Sequence, residues 1–320
     1  MEMHDLRQLP VRLEIAPTES GLGFALRVLR ANGIRFDQGM RWLGLERHRP
    51  LDKRAVRSVA WALNVDPDQF GARMVTPDPD GGKGWVRLAG MRFRRQVATN
   101  RLYAKVCPQC LHDHGLTRLS WQLRATAGCS LHGYSLISSC PHCGQMISWN
   151  RPDIDICQCG RYIKAQASAP VEQGVQAWLC WLESTLCPDS ALPSPSLLPA
   201  ALPHLSIDGA FRIVEALGLC ANATQSRGWA LSACRSPRGV GTVIERGLQR
   251  LLTIADDPGV LTHMATLVDQ PALIRIAADA AAPEDQALAW WLIQCMRSGL
   301  DSSNARVGGR RNGQLPLFVT

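Results

Sequence analysis

The sequence has no uninterrupted run of 18 apolar residues, although 46% of its residues are hydrophobic. A helix that crosses a bilayer needs about 20 such residues, so we expect no membrane span. Residues 1–10 also lack the apolar stretch of a secretory signal peptide. We therefore expect a cytoplasmic protein, in which cysteines hold metal or pack in cores more often than they form disulfides.

A nucleotide-binding loop is also missing. Gly81-Gly-Lys83-Gly resembles a phosphate loop only superficially, because the Walker spacing of glycine, lysine and hydroxyl residue is absent. What is present is a chain of 320 residues with 19% charged residues. This length predicts two or three domains with sizeable cores.

The positive charge is confined to one part of the chain. Residues 1–106 carry 19 Lys and Arg against 11 Asp and Glu, whereas residues 107–165 carry 5 against 3 and residues 166–320 carry 11 against 13. The net charge of +8 therefore belongs to the first third. A basic surface of this kind favours a polyanionic partner such as nucleic acid.

Helix signals fill this basic segment. Ser20 can cap a helix that runs to Asn32, and Phe36 begins a second helix. A third helix starts after Asp52, and Asp66-Pro67 provides the cap and first residue of a fourth. The short turn between the last two predicts either a helix-turn-helix, whose second helix could enter a major groove, or a plain helical hairpin.

Basic residues follow the predicted helices and a later aromatic-rich stretch. They could contact nucleic acid or an acidic partner surface, or they could simply be a solvated face. The candidates are Arg30, Arg35, Arg41, Lys53, Arg54, Arg57, Arg92, Arg94 and Arg95.

Seven of the 12 cysteines fall between residues 107 and 159, and six of these form three closely spaced pairs. Two thiolates on a tight turn take adjacent corners of a tetrahedron, which is how zinc is held in small modules. A histidine completes the set, so that four pairs supply eight ligands for two Zn²⁺ ions: Cys107 and Cys110, Cys129 and His132, Cys140 and Cys143, Cys157 and Cys159.

Three pairings of these knuckles are open, and the sequential one closes the shorter loops on average. His112, His114 and His142 are rival ligands, each more typical of an exposed loop. A site with four protein ligands has no open position for water and is therefore structural. The other five cysteines, Cys180, Cys187, Cys220, Cys234 and Cys295, have the apolar neighbours of buried thiols.

The segment beyond residue 165 is apolar and helical in pattern, and five prolines between Pro188 and Pro203 interrupt it. The predicted helices are Glu172–Leu186, Ile207–Leu219, Val240–Asp256, Val260–Val268, Pro271–Ala281 and Pro283–Ser298. Residues 301–320 have the composition of a flexible tail.

The residues of the middle segment resemble the TniQ/TnsD family. The resemblance extends over residues 8–165 and returns more loosely at Ser206-Ile-Asp-Gly209. Its motifs are Pro17-Thr-Glu-Ser20, Arg30-Ala-Asn-Gly33, Cys107-Pro-Gln-Cys-Leu111, Leu119-Ser-Trp-Gln-Leu123, Cys129-Ser-Leu-His-Gly133, Cys140-Pro-His-Cys-Gly144 and Cys157-Gln-Cys-Gly160.

This resemblance implies a bacterial protein that is not an enzyme and that selects the target site of a transposon. Its partners would be an AAA+ ATPase regulator of the TnsC/TniB type and either target DNA or an RNA-guided Cascade complex, with a homodimer left open. The alternatives are a helix-turn-helix transcription regulator with a zinc module and, less favoured, a nuclease that uses His112-Asp-His114.

The expected fold is mainly α and multi-domain. We expect a basic helical, helix-turn-helix-like domain at residues 1–106 and a double zinc-finger module at residues 107–165. A C-terminal helical domain at residues 166–300 and a tail at residues 301–320 follow.

Overall fold

The structure is a computed structural model that describes residues 7–45, 51–98, 103–163, 168–190, 192, 197–222, 225 and 236–302, with side chains described as far as residue 297. The chain forms two compact units. Unit 1 comprises residues 1–171 and 182–193, and unit 2 comprises residues 172–181 and 194–320. The predicted basic domain and zinc module thus both lie in unit 1, and their independence remains a prediction. The predicted tail lies outside the described residues from residue 303 onwards.

Four helices begin unit 1: α1 (Gly21–Ala31), α2 (Phe36–Trp42), α3 (Lys53–Leu63) and α4 (Pro67–Ala72). The side chain of Ser20 accepts a hydrogen bond from the backbone of Gly23, and Asp52 and Asp66 cap α3 and α4 in the same way. These caps satisfy backbone N–H groups that the first turn of a helix leaves unpaired. The helix starts expected from the sequence therefore agree with the structure.

The turn between α3 and α4 has the expected helix-turn-helix chemistry. Asn64 ends α3 with φ 59°, a left-handed conformation that asparagine tolerates. Ala60 and Phe70 are fully buried at the crossing. The second helix of the pair, α4, has only six residues, however, and therefore completes fewer than two turns.

Three short strands follow, in a stretch that the sequence marked only as basic and rich in aromatic residues. They form an antiparallel sheet in the order β1 (Thr76–Pro77), β2 (Trp85–Leu88) and β3 (Met91–Arg94). Alternating burial stabilises the hairpin, because Val86, Leu88 and Phe93 point into the core. The alternate positions carry Arg87, Arg92 and Arg94, and this basic composition hides the period of two.

The Pro17–Ser20 motif is a structural junction of unit 1. The backbone N–H of Ser20 donates to Thr117 O at 2.8 Å, and Leu119 N donates to Thr18 O at 2.7 Å. Glu19 is fully buried and accepts two hydrogen bonds from Arg27. Residues before α1 are thereby paired with residues that follow the first cysteine knuckle, which brings the basic helices and the cysteine-rich segment into one unit.

A second buried ion pair lies in the same unit. Arg118 donates to Glu183 at 3.0–3.1 Å, and Ser120 also donates to that carboxylate; all three side chains are buried. Charge-assisted hydrogen bonds of this kind satisfy groups that would be costly to bury alone. They attach the segment around the 3₁₀ turn Leu119–Gln122 to residues 182–193 of unit 1.

The remaining helices in the described part of the chain are α5 (Pro108–His114) in unit 1, α6 (Gln173–Leu186), whose residues are divided between the units after Trp181, and five helices of unit 2. These five are α7 (Ile207–Gly218), α8 (Pro237–Asp256), α9 (Val260–Met264), α10 (Gln270–Asp279) and α11 (Pro283–Ser302). Ser236 caps α8, so this helix begins three residues before the predicted start. The predicted Val260–Val268 helix instead ends at Met264 and continues as a 3₁₀ turn.

The core of unit 2 depends on one close helix crossing. A β-carbon placed on Gly218 would lie 2.0 Å from Val243 O, and one placed on Gly247 would lie 2.1 Å from Val214 O. Helices α7 and α8 therefore approach so closely that only glycine fits at the contact. None of the described helices is both long enough and apolar enough to cross a membrane. The fold is mainly helical with few strands, as expected.

Candidate metal centres

The first cluster, here called the first metal site, consists of Cys107, Cys110, Cys129 and His132. Cys107 is the N-cap residue of α5, and Pro108 occupies the first position of the helix. The first turn of this helix brings Cys110 to the same side as Cys107. The Cys129–His132 turn closes with a 2.9 Å hydrogen bond from Gly133 N to Cys129 O. Gly133 has φ 68°, a conformation that favours glycine.

The ligand atoms of the first metal site are close enough for one ion. The Nδ1 atom of His132 lies 3.3–3.5 Å from the sulfur atoms of the three cysteines, and Cys110 Sγ lies 3.5 Å from Cys129 Sγ. Zinc bonds of 2.3 Å to sulfur and 2.0–2.1 Å to nitrogen place tetrahedral ligand atoms roughly 3.5–3.8 Å apart. The donor set therefore fits a tetrahedral metal ion.

The other nitrogen of His132 faces a carboxylate. His132 Nε2 lies 3.4 Å from Asp113 Oδ2, while Gln109 Nε2 donates to the Asp113 carboxylate at 2.9 and 3.0 Å. A carboxylate behind a ligating histidine holds its ring and selects the tautomer with the free Nδ1 lone pair. From the sequence, Asp113 was predicted only as part of a nuclease motif. Its position three residues after Cys110, on the same helix face, was the signal for this role.

The thiol pKa values in this cluster move in opposite directions. The pKa of Cys107 is lowered because Cys110 and Cys129 donate hydrogen bonds to its sulfur. The pKa values of Cys110 and Cys129 are raised, that of Cys129 to about 11, chiefly by donating those same bonds. The raised pKa values keep Cys110 and Cys129 protonated near neutral pH in the metal-free cluster, and a divalent metal that deprotonates its thiol ligands would supply the positive charge that three adjacent thiolates need.

The second metal site consists of Cys140, Cys143, Cys157 and Cys159. Cys140 Sγ lies 3.9 Å from Cys159 Sγ, and Cys143 Sγ lies 3.8 Å from Cys157 Sγ, close to the expected edge of a tetrahedral sulfur site. Two glycines with positive φ, Gly144 and Gly160, complete the knuckles. Unlike the first site, this one has two exposed ligands, Cys143 and Cys159.

A fully buried arginine supports the loop of the second metal site. Arg151 donates to the carbonyl oxygens of Ser148, Asp153 and Ile154 at 2.9–3.3 Å. Burial lowers its pKa to about 10, so it remains a cation near neutral pH. Its positive charge and its three carbonyl contacts shape the chain that leads to Cys157.

Both sites have four protein ligands and no position reserved for water or substrate, which is the arrangement of structural metal sites. The cysteine and histidine pairs combine in sequential order, 107/110 with 129/132 and 140/143 with 157/159. The rival histidines His112, His114 and His142 belong to neither group and are exposed. Of the five other cysteines, Cys180 and Cys187 are buried, Cys220 and Cys295 are partly buried, and Cys234 lies outside the described residues.

Several predicted contact residues for nucleic acid or a partner are ion-paired within unit 1. Arg30 Nε lies 3.0 Å from Asp153 Oδ2, and Arg35 Nε lies 3.1 Å from Asp37 Oδ1. Arg92 lies 2.6 Å from the buried carboxylate of Asp78, which also binds Arg87. Asp78 was not predicted from the sequence, although an acid preceding a hairpin rich in arginine is a signal for such a counterion.

The other predicted contact residues are one arginine that stacks on an aromatic ring and five exposed basic residues. Arg94 stacks over the Trp85 ring at 4.3 Å. Arg41 and Arg95 are exposed, and so are three residues of α3, Lys53, Arg54 and Arg57. Within the described ranges, no ion pair is found for these five exposed side chains.

Comparison with known proteins gives one family. Residues 10–136 match the family model TniQ, a transposition-associated domain, and no curated protein matches the chain. The matched range includes the junction at residues 17–20, helices α1–α5 and all four residues of the first metal site. It ends before the second metal site and is shorter than the range 8–165 over which the sequence resembles the family.

Proposed function

We propose that this chain, a TniQ-family protein, is a target-selection adaptor for DNA transposition. In this role it connects target DNA, or a DNA-bound RNA-guided complex, to an AAA+ ATPase regulator of the TnsC/TniB type. It performs no catalysis of its own. The observation that carries the proposal is the TniQ match over residues 10–136, which contains a metal site filled entirely by protein ligands.

The metal ions in this proposal are two Zn²⁺ ions, held by the eight residues of the first and second metal sites. Zinc would supply cross-links rather than reactivity, because four protein ligands leave no position for a reacting water. The cross-links are needed since the cysteine segment contains few regular elements, apart from α5 and isolated bridges such as Val106–Ile137. Such segments depend on metal binding for their folding free energy.

The proposed partners follow from the family and from the location of charge. The excess of Lys and Arg in residues 1–106 supports contact with DNA or with a nucleoprotein complex. The ATPase regulator remains the partner implied by the family, and a homodimer remains open. A transcription regulator is the alternative, but its sequence-reading helix would be α4, whose described residues include Asp68 and no basic residue.

The experiment is an insertion assay in cells that carry the transposon with its ATPase and transposase genes. Deleting the gene for this chain should abolish insertion at the normal target, and tagged full-length chain should co-purify with the ATPase regulator. Complementation with the Cys107→Ser variant should fail, whereas Cys295→Ser, which alters a cysteine outside both metal sites, should restore insertion. Unchanged insertion after deletion, with altered transcription from a nearby promoter, would favour the regulator instead.

A further inference from the structure

The positive charge of unit 1 is neutralised unevenly. Arg27, Arg30, Arg87 and Arg92 each pair with a carboxylate, so the sheet and the first helix contribute little free charge. Helix α3 differs, because Lys53, Arg54 and Arg57 are exposed and no ion pair is found for them in the described part of the chain. This helix is therefore a concentrated and unpaired basic surface.

The exposed residues of α3 share one side of the helix. At 100° per residue, Lys53, Arg57 and an exposed tryptophan, Trp61, advance by only 40° at each step, and Arg54 falls within the same sector of about 100°. The opposite side carries the buried residues Val56, Val59, Ala60 and Leu63. Trp61 is 49% exposed, which is unusual for a residue that buries well in a core.

The helix that a helix-turn-helix would insert into the groove has the opposite character. Helix α4 spans six residues, is preceded by the exposed cap Asp66 and carries the exposed Asp68. Carboxylates at this position repel phosphates, and a helix this short presents little surface to base edges. The two helices therefore have charges suited to different tasks.

We propose that the exposed face of α3, formed by Lys53, Arg54, Arg57 and Trp61, binds the phosphate backbone of duplex DNA; this rests on the proposed function, in which the chain meets target DNA. The binding does not depend on base sequence, because phosphate contacts position a protein without reading bases. Lys53 and Arg57 lie one turn apart, about 6 Å along the helix axis, and their long side chains reach neighbouring phosphates.

The exposure of Trp61 is better explained by contact with DNA than by a surface that meets only solvent. Its indole N–H is a hydrogen-bond donor and its ring is a flat apolar surface, so it can contact a phosphate and the adjacent sugar together. Asp52, the exposed cap whose Oδ1 accepts from Ala55 N at 2.8 Å, remains a carboxylate and offsets one of the three positive charges at the start of the helix. The three cations nevertheless remain the dominant charges of this face.

The test measures binding of the full-length protein to a fluorescent 30-base-pair duplex of unrelated sequence, by anisotropy over a series of salt concentrations. The test variant is Lys53→Ala/Arg54→Ala/Arg57→Ala. The matched control, Arg41→Ala/Lys83→Ala/Arg95→Ala, removes the same charge from exposed residues elsewhere in unit 1. Circular dichroism and zinc content verify that both variants fold.

We expect the α3 variant to lose affinity by more than about 10-fold and to reduce the slope of log K against log salt by about 2.7, the value for three lost phosphate contacts. The control should lose less than about 3-fold. Trp61→Ala should weaken binding with an unchanged slope, because it removes no charge. Equal losses in the two triple variants, or no loss in the α3 variant, would overturn the assignment.

Two further outcomes separate this inference from the proposed function. If wild-type protein binds no duplex but still co-purifies with the ATPase regulator, the α3 assignment is wrong and the adaptor role stands. If the α3 variant keeps its DNA affinity but loses the ATPase regulator, the face is a protein interface and the inference fails. Stronger competition by duplex RNA than by duplex DNA would likewise overturn it.

Discussion

Units 1 and 2 achieve stability in different ways. Unit 1 contains short helices, a three-stranded sheet and two cysteine-rich clusters that could hold metal ions. Unit 2 is built from longer helices around an apolar core, with α8 and α11 of 20 residues each. Short elements bury little apolar surface, so we expect unit 1 to depend on metal cross-links more than unit 2 does.

The cysteine ligands and the basic helices also share one core. Cys107, Cys110, Cys129, Cys140 and Cys157 belong to the same buried cluster as Phe24 and Leu29 of α1. Loss of metal would therefore affect the helices as well as the knuckles. We expect each unit to depend on its own source of stability.

Removing a ligand of the first metal site should have the largest effect. Cys110→Ser should release that ion and unfold much of unit 1, because structural zinc contributes on the order of 10 kcal/mol to folding, while the helices of unit 2 stay protected. Elemental analysis measures the metal content, for which we expect about two zinc ions per wild-type chain. Amide hydrogen exchange measures the unfolding of each unit. Cys295→Ser in α11 is the matched control and should retain both ions. A Cys110→Ser protein with full metal content and unchanged exchange would contradict the assignment.

A methyl group added at the crossing of α7 and α8 should destabilise unit 2 instead. Gly247→Ala forces a methyl group against Val214 O, and we expect a loss of about 3 kcal/mol, as for overpacked cores. Urea unfolding followed by hydrogen exchange in α7 and α8 would measure it. Gly174→Ala is the control, since its β-carbon would meet only the flexible end of Glu245 at 3.0 Å. Equal stability of Gly247→Ala and wild type would show that the crossing is looser than described.

Weakening the support of His132 should have a smaller effect, confined to unit 1. Asp113→Asn keeps the size of the side chain but removes the charge behind His132 Nε2, so metal affinity at the first metal site should fall about 10- to 100-fold. Competition with a chromophoric chelator measures this, and the second metal site should keep its affinity. Asp68→Asn, an exposed substitution on α4, is the control. Equal weakening of both sites would argue against a specific role for Asp113.

The smallest expected effect is a dependence of the stability of unit 2 on pH. Asp285 accepts hydrogen bonds from the N–H and hydroxyl of Ser206, yet burial raises the pKa of its carboxyl to about 6. A carboxyl whose pKa is raised in the folded state stabilises it most below the unfolded pKa of 3.8 and loses that contribution as pH rises through 6.

The free energy of unfolding of wild type, relative to Asp285→Asn, should therefore fall between pH 4 and 7 by roughly 2 kcal/mol. Urea unfolding at several pH values measures the difference, which cancels the titration of other carboxyls. A difference that stays constant over this range would show that Asp285 titrates normally. The control Asp256→Asn, at the end of α8, should follow the wild-type curve.

Much of the fold was predictable because it depends on local chemistry. Ser20, Asp52 and Asp66 cap helices by bonding to backbone only three residues away, and such contacts are encoded in a short stretch of sequence. The clustering of eight metal-ligating residues was predictable for the same reason, since each knuckle is a local turn. The β-hairpin was missed because arginines at alternate positions hide its period of two, and their counterion Asp78 lies 9 residues from Arg87 and 14 residues from Arg92.

The sequence by itself determined the helix starts, the cysteine knuckles and the location of the basic charge, all of which depend on near neighbours. Only the tertiary structure decided which basic residues are neutralised and which of α3 and α4 presents free charge. It also placed Asp113 behind His132 and paired residues 17–20 with residues 117–119. The physical reason is that these contacts join atoms far apart in the chain, and which of many such pairs forms depends on how the whole unit packs.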